Sequence, residues 1–141
     1  MNIFASFSCP KKSARFLDPK RANKMIVESF QLMSNGMWLN GSDGFYKKTH
    51  LNHPCSIWTA ESRGNFAWLF EHTIELLTLY EQRYPPKIHK CTEHLETVQG
   101  YLWNGLFKGE DRTPFVNCTL FKGIEDVHRA YRFHLNEKWK Q

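Results

Sequence analysis

The sequence predicts an all-α fold: a compact single domain over residues 1–141, with about four helices and a short extended amino-terminal segment. Three observations support this. Apolar residues recur at helical spacing through most of the chain. Turn-forming residues (Pro10, the 40–44 Asn-Gly-Ser-Asp-Gly cluster, Pro85-Pro86, and the stretch from Gly105 to Pro114) separate the periodic runs. Strand-like character is confined to residues 2–7, which have no evident pairing partner.

The first helix is predicted to begin near Asp18, a capping residue, with Pro19 at the first helical position, and to end near Gly36 or shortly after. A second is predicted over residues 56–84. Its apolar stripe is Phe66, Leu69, Phe70, Thr73, Ile74, Leu77, Tyr80 and Tyr84, and Pro85-Pro86 stops it. A third spans residues 87–107. A fourth, over residues 124–140, buries Ile124, Val127, Tyr131 and Leu135; Glu125 and Asp126 suit its first turn, and Lys138 and Lys140 its last.

Five Trp, eleven Phe and five Tyr supply large apolar area and argue against disorder. A net charge of +5 favours an anionic partner. The first residues show no basic region followed by a long apolar run, and no window has the run of about 18 apolar residues needed to span a membrane. Cys9, Cys55, Cys91 and Cys118 form no CxxC pair, and reduced thiols in a cytoplasmic setting are expected. No dinucleotide, Walker, zincin or nucleophile-elbow pattern occurs.

Two segments concentrate polar chemistry. In the first helix Arg21, Lys24 and Glu28 stand at i, i+3 and i+7 on one stripe, beside the apolar face of Ala22, Met25, Ile26, Leu32 and Met33. Glu28 is thus expected at the edge of the core, half-desolvated and next to cations. A carboxylate there can be tuned for proton transfer, and the cations can meet phosphate. The simpler alternative is an exposed Lys24–Glu28 ion pair worth about 0.3–0.5 kcal/mol.

The second segment runs from Thr49 to Trp68. His50, Asn52, His53 and Ser56 crowd a loop leading into a helix, Arg63 and Asn65 follow, and Trp58 and Trp68 offer faces for stacking on a base. The alternative is that His53-Pro54 shapes the loop while the Trp residues fill the core. Zn ligands are available in His50/His53/Cys55 and His89/Cys91/His94, but the spacings fit no finger. A straight helix between them would hold the triplets ~40 Å apart. No metal or cofactor is expected. Cys55 beside His53 is a poor nucleophile pair, since neighbours on one loop rarely meet in the needed geometry. Arg129, Arg132, His134, Lys138 and Lys140, with Lys11, Lys12, Lys20, Arg21, Lys47 and Lys48, could line a basic groove.

These residues give the chain a resemblance to the pyrimidine-dimer DNA glycosylases of the phage endonuclease V type, by way of a group of small phage proteins. Arg21 precedes Glu28 by seven positions, as a basic or His residue precedes that family's catalytic Glu. His53-Pro54 followed by Trp58 and a long helix ending in the Tyr-rich run 76–84 matches a second feature. The resemblance spans roughly residues 1–85; the tail from Thr113 to Trp139 resembles phage relatives of unknown activity. It implies a compact all-α enzyme whose nucleophile is the α-amine of the amino terminus. That amine attacks C1′ of the damaged nucleotide, expels the base and forms an imine, and β-elimination then nicks the strand. Such amines titrate near about 7.7–8.0, so a useful fraction is neutral at physiological pH.

Carried over, the amine is that of Met1 or Asn2 and Glu28 is the acid/base. Arg21 and Lys24 hold phosphate, and His53, Trp58, Arg63 and Asn65 contact substrate. The implied partner is damaged or modified DNA, or a nucleotide. The alternatives are a non-catalytic nucleic-acid or nucleotide-binding accessory protein, and an inhibitor acting on a host protein by contact.

Overall fold

The computed structural model describes residues 1–139, which carry six α-helices and no strand. They are α1 (Pro10–Phe16), α2 (Pro19–Leu39), α3 (Pro54–Glu61), α4 (Arg63–Arg83), α5 (Leu95–Asn104) and α6 (Val127–Trp139), with a 3-10 turn over Lys90–His94 before α5. The fold class is as expected; the count of about four helices is corrected. The predicted last-turn residue Lys140 lies outside the described residues. None of the helices is long and apolar enough to cross a membrane.

The extra helices have local causes. Pro10 opens α1 rather than merely punctuating a loop. The Ser13 hydroxyl then donates to the carbonyl of Phe7 (2.9 Å) and accepts from its N–H (3.0 Å), tying α1 to the segment before it. The predicted 56–84 helix is two, broken at Ser62. That residue is extended (φ −151°, ψ 158°) and ends α3, while its hydroxyl accepts from the N–H of Asn65 (3.0 Å) and so caps α4. At the other end α3 starts at Pro54 because the His53 ring accepts from the N–H of Cys55 (3.0 Å). The same device recurs where His89 accepts from the N–H of Cys91 (3.0 Å) and opens the 3-10 turn.

Helix α2 begins as predicted, with Asp18 accepting from the N–H of Arg21 (2.8 Å). It runs past Gly36 to Leu39. Gly36 is also a contact point: a Cβ there would lie 3.3 Å from Thr59 Cγ2 and 3.5 Å from the Phe66 ring. The close approach sets α2 against α3 and α4, and Ile26, Phe30, Leu32, Met33, Phe66 and Leu69 are fully buried around it.

Residues 2–7 are not a strand but an irregular segment sunk into the core, with Ile3, Phe4, Ala5 and Ser6 all buried. Their backbone groups are satisfied by side chains instead of a neighbouring strand. Arg132 donates to the Ser6 carbonyl (2.7 Å) and the His128 ring to that of Ala5 (2.7 Å). Helix α6 therefore clamps the amino terminus, with the Tyr131 ring edge-on to Phe4 at 6.4 Å.

Candidate active site

Three separate stretches build a cleft of about 290 Å³. Helix α2 contributes Arg21, Lys24, Met25 and Glu28. The amino-terminal segment contributes Met1, Asn2 and Phe4, and the carboxy-terminal part adds Cys118, His134 and Lys138. At its centre the α-amine of Met1 lies 3.5 Å from Glu28 Oε1. The Met1 side chain is 6% exposed and that of Glu28 22%, the half-desolvated core edge expected from the helical stripe.

The turn that delivers the amine is wound tightly. Asn2 Oδ1 accepts from the N–H groups of Ile3 (2.7 Å) and Phe4 (3.1 Å), and the Ser6 N–H donates back to the Phe4 carbonyl (2.7 Å). Phe4 takes φ +54°, a left-handed conformation unusual for a bulky residue. It is held there by burial against Tyr131 and His134. The Met1 sulfur accepts from the Ser56 hydroxyl at 3.7 Å, which pins the first side chain to α3.

Charge in the cleft is strongly biased. Arg21, Lys24, Lys138 and the amine face the Glu28 carboxylate. Arg21 pairs with its own cap Asp18 at 2.8 Å, and among the described residues the ion-pair partner of Glu28 is the amine rather than Lys24. Burial, then the neighbouring Lys138, Arg21 and Lys122, holds His134 below the ordinary imidazole value. His53 is likewise lowered, by burial and then by the amine itself. Cys118 and Cys55 lie with their sulfurs 3.7 Å apart. Donation from Cys55 favours the Cys118 thiolate, whereas that hydrogen bond and burial push Cys55 up. Cys55, fully buried, is no nucleophile.

The residues expected from sequence divide sharply. Met1, Asn2, Arg21, Lys24 and Glu28 converge on the cleft; His53, Trp58, Arg63 and Asn65 do not line it. Trp58 is 1% exposed, donates to the Pro114 carbonyl (3.0 Å) and stacks on Phe115 at 4.8 Å, so it has no free face for a base. Trp68 is buried beside it and donates to Ser8. Arg63 bonds Glu110 (2.8 Å) and the carbonyls of Leu102 and Gly105, with its guanidinium over the Phe107 ring. Asn65 is fully buried, donating to the Trp58 carbonyl (2.7 Å) and accepting from the Thr113 N–H (2.8 Å). Of these four, one caps a helix, one fills the core and two bind a loop.

No group of three or more His, Cys, Asp or Glu that could hold a metal occurs among the described residues, and members of the His50/His53/Cys55 and His89/Cys91/His94 triplets have other partners. His50 meets Thr49, Cys91 meets Tyr46, and His94 stacks on Phe45 at 4.6 Å. Of the residues that do line the cleft, Phe4, Met25 and Cys118 carried no functional signal in the sequence. His134 and Lys138 did, as two of the residues that could line a basic groove.

Searches among curated proteins and among solved structures each found no match. The family model of pyrimidine dimer DNA glycosylases matches residues 1–93, the stretch that holds Met1, Asn2, Arg21, Lys24 and Glu28, and the chain belongs to that family.

Proposed function

We propose that this protein is a DNA-base N-glycosylase with abasic-site lyase activity, in which the α-amine of Met1 is the nucleophile and Glu28 the acid/base. The supporting observation is the 3.5 Å approach of the amine to Glu28 inside a cationic cleft. The family supplies the substrate class, DNA.

Within this reading, the ammonium gives its proton to Glu28 and the freed lone pair attacks C1′ of the target nucleotide. The C1′–N bond breaks, its electrons leave with the base, and the base takes up a proton. A second amine proton is lost and O4′ takes up a proton as the C1′–O4′ bond breaks, which opens the sugar ring and gives the protonated imine. Glu28, next to the new cationic centre, stabilises it electrostatically. Loss of a proton from C2′ then expels the 3′ phosphate, cutting the strand. Arg21, Lys24 and Lys138 neutralise the flanking phosphates. Trp58 and Trp68, first assigned the stacking surface, are buried, and Phe4 and Met25 form the apolar floor of the cleft.

The chemistry requires a free α-amine on Met1. Intact mass measures this directly. Borohydride reduction in the presence of abasic-site DNA should trap a covalent adduct that maps to Met1. Absence of an adduct, or one on a lysine, would overturn the assignment.

A further inference from the structure

Cys55 and Cys118 form a thiol pair that the glycosylase chemistry leaves unused. Their sulfurs touch at 3.7 Å although the residues are 63 positions apart in sequence. Cys55 stands in the first turn of α3 and is fully buried, whereas Cys118 is half-buried and forms part of the cleft wall. The two thiols therefore differ in what can reach them. A small solute that enters the cleft meets Cys118, while Cys55 is shut off from solvent. Cys91 has a different setting: it is buried and meets the Tyr46 hydroxyl at 3.4 Å.

The surroundings of Cys118 favour reaction. The hydrogen bond from Cys55, then Lys122, Tyr131 and the α-amine, pull its thiol down to about 6 against the effect of burial, so it is mostly thiolate at neutral pH. Its backbone N–H donates to the Tyr131 hydroxyl (3.2 Å), which anchors this stretch of chain to α6. Toward a substrate in the cleft Cys55 is inert, but an oxidised Cys118 sulfur would be an electrophile in direct contact with it. The Cys55 proton is held by the hydrogen bond to Cys118, by burial and by the adjacent thiolate charge. The first and last of these causes vanish once Cys118 becomes a neutral sulfenic acid.

We propose that Cys118 is a site of oxidation by hydroperoxides in the wall of the cleft, and that Cys55 captures the oxidised form as an intramolecular disulfide. In the first step the Cys118 thiolate attacks one peroxide oxygen, the O–O bond breaks, and the departing hydroxide takes a proton from solvent to become water. Cys118 is oxidised to the sulfenic acid and the peroxide is reduced. In the second, the Cys55 sulfur attacks that of Cys118, the S–O bond breaks, and the hydroxide leaves as water with the Cys55 proton. The sulfurs must close by about 1.7 Å to bond. The cross-link would tie the cleft wall to α3, where Ser56 holds the Met1 side chain. None of this depends on the DNA glycosylase reading.

The test treats the reduced full-length chain with hydrogen peroxide and follows it by intact mass and peptide mapping. Wild type should lose two hydrogens, yield a linked Cys55–Cys118 peptide pair and revert with dithiothreitol. Cys118 should react at least about threefold faster than Cys9. Cys55→Ala should leave Cys118 as a sulfenic acid that dimedone labels, and Cys118→Ala should abolish the cross-link with Cys55 still reduced. The map on wild type needs no variant, so it decides the matter even where a substitution at the buried Cys55 prevents folding. A wild type that stays reduced, or that is oxidised first at Cys9 or Cys91, overturns the site. Cys118 accumulating as sulfinic acid without a cross-link overturns the capture by Cys55.

Discussion

Arg21 and Arg63 each sit in the first turn of a 21-residue helix, and their side chains are 25% and 28% exposed. Exposure does not separate them; partners do. Arg63 bonds a carboxylate and two backbone carbonyls and covers an aromatic ring. Nearby, Asn65 is satisfied on both its donor and acceptor sides. Among the described residues the ion-pair partner of Arg21 is its cap Asp18, and it lines a cleft with Lys24, Lys138 and the amine. Around the start of α4, polar groups close a loop onto the core. Around α2, they are left pointing at a space that suits an anion. Like-charged groups brought together with few protein partners mark a ligand site better than residue type does.

The strongest test of this contrast is to move the amine. One glycine added ahead of Met1 should abolish imine trapping while leaving the urea midpoint near that of wild type; a trapped adduct at the new terminus would show that position is uncritical. Glu28→Gln keeps the shape and removes the proton acceptor. Strand cleavage at abasic-site DNA should fall about 10²–10⁴-fold, with DNA binding largely kept.

The α4 side should respond in stability, not in chemistry. His72 is fully buried, donates through Nδ1 to the Pro10 carbonyl (3.0 Å) and is pushed by burial down to about 4. Its folded value lies below its ordinary one, so the unfolded chain binds the proton more readily. Its contribution is full above about pH 6.5 and diminishes by roughly 3 kcal/mol as pH falls toward 4. Denaturation at pH 5 and 7.5 should show this slope, and His72→Gln should flatten it. Asn65→Ala leaves buried groups at Trp58 and Thr113 without partners and should cost about 1–3 kcal/mol, with cleavage per folded molecule unchanged. A selective loss of activity would return Asn65 to the site.

The smallest effect belongs to Lys24. Lys24→Gln should weaken binding to duplex DNA only several-fold and reduce the salt slope by about 0.9. A slope unchanged by that substitution would remove Lys24 from the phosphate contacts.

Much of this was legible in the sequence where the causes are local. Asp18-Pro19 set the start of α2, and the spacing of Arg21, Lys24 and Glu28 set their shared stripe. The misreadings have local form but distant causes. Ser62 lies within a continuous helical pattern, and only the loop it receives favours a break: Gly109 accepts from the N–H of Arg63 (2.9 Å) and Glu110 from that of Gly64 (2.8 Å). Arg63, Asn65 and Trp58 look like substrate contacts until residues 102–115 are seen to fill their bonds. The wall formed by Cys118, His134 and Lys138 is ninety or more residues from Glu28 in sequence, beyond the reach of any periodicity.

By itself, then, the sequence determined the helical class, the cap and stripe of α2, and Glu28 at the edge of the core, because 3.6-residue geometry fixes which neighbours share a face. Only the tertiary structure decided that Glu28 faces the amine of Met1. That meeting depends on the turn at Asn2 and Phe4, the burial of Ile3, Phe4, Ala5 and Ser6 and the clamp from α6. All are long-range packing choices, and they turn a charged stripe on a helix into one wall of a candidate active site.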